Sequence, residues 1–381
     1  MDQIISHFKR FDWIMIAAAV FLGLVGLASL YSSSIHSGDF SNFSKQAAFL
    51  GAGILSMFLL SFFDWRMFRE NSASILILYF LTIIALAGLF FFGSSNRGVR
   101  TWYDLGPVTL DPIEFLKPIL LILLAKYFSK RHASIYQIRH VLLTGFYVAL
   151  PVVLIFFQPN LGPCLVIIAL WIGMLIIAGM KKRHFLMLGC VFLALFALGW
   201  AFFLHDYQKA RVMNFFVPSD PLGVSWSQNQ SEIAVATGGL VGKGFGQGSQ
   251  TQYGFLSEPQ TDFIFAAITE EFGILGIIAL LAATLLLIWR LTRAALEFRD
   301  NFSRMFAAGF AVLLVAEAAI HIGVNVGFLP IIGLPFPLVS YGGSNLLATF
   351  AMLGIVQKIV SSPTSAIEAG HSDNIGFPQG H

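Results

Sequence analysis

Charged side chains are scarce in this sequence of 381 residues, because Asp, Glu, Lys and Arg together make up 11% of it. Soluble domains usually carry about 25% charged residues. Hydrophobic residues here reach 57%. A soluble globular protein of this size needs more polar groups to cover its surface, so that class is excluded. The net charge of +3 is also too small to indicate a nucleic-acid partner.

Cysteine is nearly absent from the sequence. Cys164 and Cys190 both lie in apolar segments, which excludes a disulfide framework and a cysteine-based metal site. The sequence also lacks the Walker, HExxH and CxxC motifs. We therefore interpret both cysteines as small apolar packing residues.

Long apolar runs, in contrast, are abundant. A helix of about 20 apolar residues crosses a bilayer, and the strands of a membrane barrel would alternate apolar and polar residues instead. The runs predict an all-α polytopic membrane protein with ten transmembrane helices. The predicted spans are residues 13–30, 47–63, 75–92, 113–128, 141–157, 164–180, 185–204, 263–289, 305–326 and 341–360.

Basic residues are distributed unequally between the two sides. If the chain has ten spans, both termini lie on the same side of the membrane. Sixteen of the 23 Lys and Arg residues then lie on that side or at the span ends that face it. The positive-inside rule then predicts that both termini are cytoplasmic. The seven other basic residues are Lys45, Arg97, Arg100, Lys117, Lys209, Arg211 and Lys243.

The ten spans and their connections form one predicted domain, residues 1–360. Residues 205–261 lie between the seventh and eighth spans, and their aromatic and apolar content predicts a structured extracytoplasmic loop. Residues 361–381 are rich in small and polar residues, and we predict a disordered cytoplasmic tail there.

Acidic residues inside or next to the spans are candidates for chemistry. Asp262, at the predicted start of the eighth span, suits both a helix cap and a carboxylate that faces a cavity. Glu114 and Lys117 are three residues apart at the start of the fourth span, and they suit an intrahelical ion pair or a functional site. Glu317 and His321 are four residues apart in the ninth span, and we expect them to form a structural pair, with a proton relay as the alternative.

Several motifs, in order along the chain, resemble those of the SEDS family (shape, elongation, division and sporulation). The motifs are RTW at 100–102, PIEFLK at 112–117, DYQKARV at 206–212, GGLVGKG at 238–244, TDFIF at 261–265 and PFPLVSYGGS at 335–344. The resemblance extends from about residue 12 to residue 360, with the same ten-helix layout. Residues 248–252, GSQTQ, are most similar to the elongation members, and a division role is the alternative.

The resemblance implies a peptidoglycan glycosyltransferase of the bacterial inner membrane. Such an enzyme polymerises lipid II into β-1,4 glycan strands at the outer leaflet, here for elongation and rod-shape maintenance. It implies that Asp262 is the catalytic base of an inverting reaction. The residues that match motif positions implied to contact the substrate are Glu114, Lys117, Arg211, Lys243, Arg100 and Ser340.

The resemblance also implies a divalent cation, Mg²⁺ or Mn²⁺, whose ligands it leaves open. The implied partners are the nascent glycan strand, a class B penicillin-binding protein that supplies the transpeptidase, and other membrane proteins of the elongation complex. Gln260 stands where the family usually has His, and Asn160 stands where it usually has Asp. We therefore expect an atypical pH dependence, and we do not assign the cation to residues 158–163.

Two other functions fit parts of the sequence. A flippase for lipid-linked precursors would use charged residues within spans, although transporters often have broken helices near the bilayer midplane. A non-catalytic scaffold of a cell-wall synthase would need only apolar spans and a partner surface. The concentration of polar motifs at the outer face favours the glycosyltransferase.

Overall fold

The computed structural model describes residues 7–63, 71–96, 99–106, 109–131, 137–204 and 225–362, and also residues 206, 209, 212, 213 and 215. Almost all of this chain is helical. The helices are α1 (Trp13–Ile35), α2 (Ser41–Phe62), α3 (Ser72–Phe92), α4 (Pro112–Arg131), α5 (Ile138–Phe157), α6 (Leu161–Ile177), α7 (Lys182–Leu198), α8 (Trp226–Thr237), α9 (Ser249–Gln252), α10 (Ile264–Glu297), α11 (Asn301–Asn325) and α12 (Gly343–Ser361).

The chain is a multi-pass membrane protein. Within the described residues, eight helices are long and apolar enough to cross a bilayer: α1, α2, α3, α5, α7 with the π-helical turn after it, α10, α11 and α12. All ten predicted spans overlap a helix. However, α6 has only 17 residues and α4 contains several charges, so ten crossings stay a prediction.

Polar residues at the helix starts explain where several spans begin. Asp12 accepts a hydrogen bond from Met15 N at the start of α1, and Asp300 accepts one from Ser303 N at the start of α11. The C-terminal end of α10 is Glu297, eight residues beyond residue 289, where the predicted eighth span ends. The predicted span is therefore shorter than the helix that contains it, and the first residue beyond the span, Arg290, pairs with Asp12.

A small antiparallel sheet lies between α3 and α4, and an all-α prediction did not include it. In the described residues its strands are β1 (Ser94–Asn96), β2 (Val99–Asp104) and β3 (Thr109–Leu110), in the order β1-β2-β3. Tyr103 in β2 donates a hydrogen bond to Ala85 O, 2.6 Å away, and thereby attaches the sheet to α3. The aromatic and β-branched residues of β2 favour a strand over a helix.

The helices pack into one core around α10, α11 and α12. α12 lies along α2, α10 packs against α1 and α11, and α11 also contacts α4 and α6. Large apolar side chains on the outer surfaces of α3 and α5, such as Phe91, Phe92 and Phe146, are exposed. An exposed apolar surface of this kind suits contact with lipid.

The connection between α7 and α10 is structured over its described part. Residues 225–261 contain α8, α9 and a series of turns, and α8 packs against α10 and α11. Residues 225–261 of the predicted loop 205–261 are thus structured, and its extracytoplasmic placement stays a prediction. The predicted disordered tail, residues 361–381, began too early, because Ser361 is the last residue of α12 and Ser362 is its C-cap. Residues 363–381 lie outside the described residues.

Candidate active site

Asp262 lies in a turn, residues 259–263, directly before α10. The sequence predicted that Asp262 begins the helix, but α10 begins at Ile264. Ala266 N, in the first turn of α10, donates a hydrogen bond to Asn325 Oδ1 at 3.1 Å, so α11 supplies a cap for this helix. Asp262 itself is half-buried, which leaves part of its surface open to a ligand.

Three consecutive carbonyl groups hold the turn that contains Asp262. Gln260 O accepts from Tyr341 N at 2.8 Å, and Thr261 O accepts from Ser340 Oγ at 2.7 Å. Asp262 O accepts from Asn325 Nδ2 at 2.9 Å. The donors come from α11 and from the connection before α12, so several elements fix the turn.

Gln260 also connects the turn to α1 and α2. Its Oε1 accepts from Asn42 Nδ2 at 2.7 Å, and its Nε2 donates to Ser33 Oγ at 2.8 Å. An amide can donate and accept at the same time without titrating in the physiological range. The turn is therefore held here by a group whose charge does not depend on pH.

Gly333 lies beside the carboxylate of Asp262. A Cβ atom at position 333 would lie 3.5 Å from Asp262 Oδ2, and the backbone there has a φ of +64°. This conformation favours glycine. The connection between α11 and α12 therefore passes directly along the side of the candidate base.

A second polar cluster lies deeper in the bundle, between α4, α11 and α12. Lys117 Nζ lies 2.8 Å from Glu114 Oε1 and 2.6 Å from Glu317 Oε1. Asn345 Nδ2 donates to Glu114 Oε2 at 2.8 Å. All four side chains are buried. The ion pair predicted between Glu114 and Lys117 is confirmed, and it belongs to a larger network.

The predicted pairing of Glu317 with His321 is wrong. Glu317 is bound by Lys117 from another helix, while His321 Nδ1 bonds Leu334 O at 2.7 Å. A charged amine at 2.6 Å stabilises a buried carboxylate more than a neutral imidazole one turn away. The contact between two helices therefore prevails over the spacing within one helix.

Asp111 caps α4 at the edge of this cluster. Its Oδ1 accepts from Ile113 N at 2.8 Å, and its backbone N donates to Ser344 Oγ at 3.1 Å. Burial, and next the charge of Glu114, raise the pKa of Asp111 to about 8. No role was predicted for Asp111, which directly precedes the PIEFLK motif, or for Asn345, which directly follows the PFPLVSYGGS motif.

The helix α10 is broken at Gly273, where φ is +61° and ψ is −154°. The glycine-rich segment 238–244 packs against the break and supplies the missing backbone partners. Ile274 N and Leu275 N donate to Gly239 O and Leu240 O, while Lys243 N and Gly244 N donate to the carbonyls of residues 270 and 271. The chain itself therefore supplies hydrogen-bond partners for the backbone N–H and C=O groups at the break, as burial in a bilayer requires.

Glu270 and Glu271 had no assigned role in the sequence, and the structure shows that the side chain of Glu270 holds this segment while that of Glu271 binds α1. Glu270 accepts from Lys243 Nζ at 2.8 Å and from Gln250 N at 2.9 Å, and its side chain is buried. Glu271 accepts from Ser32 Oγ on α1. The Lys243 ammonium is thus paired with a protein carboxylate here, and its implied contact with the substrate stays a prediction.

The remaining predicted site residues lie in different places. Ser340 donates its hydroxyl proton to Thr261 O, and the residue is 3% exposed. Arg100 lies in β2, where it is paired with Ser95. Arg211 lies outside the described residues. The structure thus brings Asp262 and Ser340 together in one site, and Glu114 and Lys117 together in another.

No group of three or more His, Cys, Asp or Glu side chains within the described part of the chain is arranged to hold a metal ion. The buried carboxylates in that part are already engaged by lysine, backbone N–H groups or amides, as Glu114 and Glu270 show. These residues do not fit a preformed cation site.

Known proteins resemble the chain over nearly its whole length. The family described as "Cell cycle protein", covering FtsW, RodA and SpoVE, matches residues 9–364. The peptidoglycan glycosyltransferase MrdB of Escherichia coli K12 is 33% identical over 341 residues, which cover 89% of this chain and 91% of MrdB. The probable peptidoglycan glycosyltransferase FtsW of Haemophilus influenzae is 31% identical over 350 residues, which cover 89% of this chain and 86% of that protein.

Solved structures agree with this relationship. A structure described as the structural coordination of polymerization and crosslinking by a peptidoglycan synthase complex has a TM-score of 0.77 at 30% identity, and covers 92% of this chain and 97% of that one. The rod shape determining protein RodA of Thermus thermophilus has a TM-score of 0.68 at 29% identity, covering 92% and 96%. With this fold, these motifs and this match, the chain belongs to the FtsW, RodA and SpoVE family of cell cycle proteins, which is the SEDS family.

Proposed function

We propose that this chain is a peptidoglycan glycosyltransferase that polymerises lipid II into β-1,4 glycan strands at the outer leaflet. The observation that carries the proposal is the placement of Asp262. Asp262 is a half-buried residue on a turn in which three consecutive carbonyl groups accept hydrogen bonds from other elements. A carboxylate on so constrained a turn is suited to meet a substrate at the end of the bundle. The names of the relatives support the reaction.

The mechanism follows from the chemistry of the substrate. The donor sugar is α-linked to a lipid pyrophosphate, and the product bond is β-1,4, so the reaction inverts the anomeric carbon once. The 4-hydroxyl oxygen of the acceptor attacks that carbon while Asp262 takes the hydroxyl proton, and the bond to the pyrophosphate oxygen breaks. General-base catalysis of this kind is worth about 10²–10⁴ in rate.

The variant Asp262→Asn tests the proposal. It keeps the size and the backbone contacts of the turn but removes the base, so we expect polymerisation of labelled lipid II to fall by at least about 10²-fold. Asp39→Asn is the matched control, because Asp39 is an exposed carboxylate whose Oδ1 accepts from Ser41 N, and Asn retains that acceptor. Parental polymerisation by Asp262→Asn would refute the assignment.

We propose that the predicted substrate-binding residues have different roles, according to where they lie in the structure. Lys117 Nζ is already paired with two carboxylates, and we propose that Glu114 and Lys117 hold α4 to α11 and α12 and do not bind the substrate directly. Arg100, Arg211 and Lys243 belong to the outer connections and stay proposed contacts of the pyrophosphate. We propose that Ser340 affects the substrate indirectly, because it holds the turn that contains Asp262.

A divalent cation, Mg²⁺ or Mn²⁺, stays a proposal that rests on the family resemblance alone. The described residues do not fit a preformed site for it, and no step of the mechanism above depends on it. We propose that the reaction nevertheless needs the cation. Chelation with EDTA and re-addition of each ion separately test this requirement.

We propose that a class B penicillin-binding protein is the partner, and that the elongation machinery is the setting. Support comes from the peptidoglycan synthase complex among the similar structures, from the similarity to RodA and from residues 248–252. A division role is the alternative. Depletion of the protein in its own host separates the two, since loss of elongation gives round cells and loss of division gives filaments.

The proposed topology has ten spans in the bacterial inner membrane with both termini in the cytoplasm. It rests on the apolar runs and on the positive-inside rule. The loop 205–261 would then face the outside, and the tail 361–381 would be cytoplasmic. Labelling of single cysteines placed at Asp39 and Ser362 with a membrane-impermeant reagent tests this orientation.

A flippase for lipid-linked precursors is the second candidate, and one observation favours it. The broken helix α10 is a feature of many transporters. However, segment 238–244 fills the break, which leaves its backbone groups satisfied. A leaflet-translocation assay on labelled lipid II separates the candidates, because a flippase moves the precursor without lengthening it.

A further inference from the structure

Asn325, the last residue of α11, uses both ends of its side-chain amide at the turn before α10. Its Nδ2 donates to Asp262 O at 2.9 Å and to His321 O at 2.9 Å. Its Oδ1 accepts from Ala266 N at 3.1 Å. The residue is completely buried. One side chain therefore connects the carbonyl of the candidate base with the first turn of the helix that follows it.

An amide suits this position because it has a donor and an acceptor on one rigid plane. Aspartate would accept from Ala266 N but would turn a carboxylate oxygen towards Asp262 O. Leucine would leave both backbone groups buried without this partner. The turn and the helix start thus depend on the same side chain for their relative position.

The backbone of Asn325 is held in turn by α8. Ser231 Oγ donates to Asn325 O at 2.9 Å, and Gln228 Nε2 donates to Val324 O at 2.8 Å. These bonds satisfy carbonyl groups at the end of α11 that have no partner within the helix. Asn325 is therefore fixed on one side by the outer connection, and it fixes Asp262 on the other.

We propose that Asn325 is a positioning residue that holds Asp262 at the point where its carboxylate takes the proton of the acceptor hydroxyl. This inference rests on the proposed function and deepens it. A general base must lie about 2.6–3.2 Å from the proton donor. A displacement of about 1 Å in such a site costs about 10²-fold in rate. Loss of the amide therefore acts on the chemical step, while the binding of lipid II is retained.

The test measures kcat and KM for lipid II polymerisation with Asn325→Leu and Asn325→Asp. We expect kcat to fall by about 10²-fold and KM to stay within about twofold of the parent. Asn325→Asp is nearly isosteric and keeps the acceptor for Ala266 N, so it serves if Asn325→Leu does not fold. All rates refer to the monodisperse protein from gel filtration in detergent.

Gln357→Leu is the matched control for loss of a buried amide. Gln357 is also completely buried, and its amide accepts from Asp12 N at 2.9 Å and donates to Asp12 O at 3.3 Å, at the start of α1. We expect this variant to lower the melting temperature as Asn325→Leu does but to keep the parental kcat. If the Asn325 variants lose no more kcat than Gln357→Leu, the inference is wrong.

A double variant separates positioning from a general structural effect. Combined with Asp262→Asn, Asn325→Asp should lower the residual rate by less than about twofold, because the group it positions is already lost. An undiminished further loss contradicts the inference. If Asp262→Asn alone polymerises at the parental rate, the proposed function fails. If Asp262→Asn is inactive while Asn325→Asp keeps parental kcat, only the inference about Asn325 fails.

Discussion

Lys117 on α4 and Glu317 on α11 form a buried ion pair with an N–O distance of 2.6 Å, and this pair joins two helices of the bundle. Glu114, one turn before Lys117, supplies a second carboxylate at 2.8 Å. A single ammonium group is thus paired with two buried carboxyl groups. The lysine is therefore the member of the cluster whose loss leaves the most buried charge without compensation.

The variant Lys117→Met should destabilise the protein strongly. Removal of one partner from a buried ion pair costs about 3–5 kcal/mol, because it leaves an uncompensated charge in the interior. Thermal unfolding in detergent, followed by tryptophan fluorescence, measures the effect. Arg293→Ala is the control, since the Arg293–Glu297 pair is exposed and such pairs contribute about 0–1 kcal/mol. Equal melting temperatures for the two variants would contradict the account of the cluster.

The raised pKa of Asp111 predicts that the stability of the protein depends on pH. Its pKa in the folded protein is raised to about 8 from a usual value near 4, so the folded state binds an extra proton between these values. This contribution to stability is present at low pH and is lost as the pH rises towards 8. Asp111→Asn keeps an acceptor for Ile113 N and removes the titration.

The melting temperatures of the parent and Asp111→Asn, measured from pH 5 to pH 9, check this prediction. We expect the parent to lose stability relative to the variant as the pH rises. A difference between the two proteins that does not change over this range would show that Asp111 keeps its ordinary pKa.

Gly273 is expected to tolerate no side chain. Its backbone conformation is one that essentially only glycine adopts, and a Cβ atom would collide with Gly242 N. Gly273→Ala should therefore lower the melting temperature by an amount equivalent to at least about 1–3 kcal/mol. Gly51→Ala is the control, because it lies inside α2 with open space around it and should be neutral or slightly stabilising. Similar melting temperatures for the two alanine variants would contradict the close packing of segment 238–244.

Apolar runs predicted the helices well, because a bilayer leaves few alternatives to a continuous helix. The prediction was less successful where charges interrupt the pattern. Arg290 marked the end of a span in the sequence, yet α10 continues to Glu297, and Arg290 pairs with Asp12 next to α1. The sheet around Tyr103 was not predicted either, since its strands are two to six residues long.

The candidate site was predicted in part. Asp262 was identified through its motif, and Glu114 and Lys117 through their spacing within one helix. Asn325 and Asn345 were not, because their roles come from contacts with other helices, and no local pattern distinguishes a buried amide that binds a backbone from one that does not. The same limit explains the incorrect pairing of Glu317 with His321.

Polymerisation of labelled lipid II by the purified protein is the most direct test of the proposed function. The assay includes Mg²⁺ or Mn²⁺ and is run with and without the candidate transpeptidase, with Asp262→Asn beside the parent. The account predicts ladders of glycan strands from the parent and at least about 10²-fold less product from the variant, with both proteins folded. No ladder from the parent under any condition, or equal ladders from parent and variant, would contradict it.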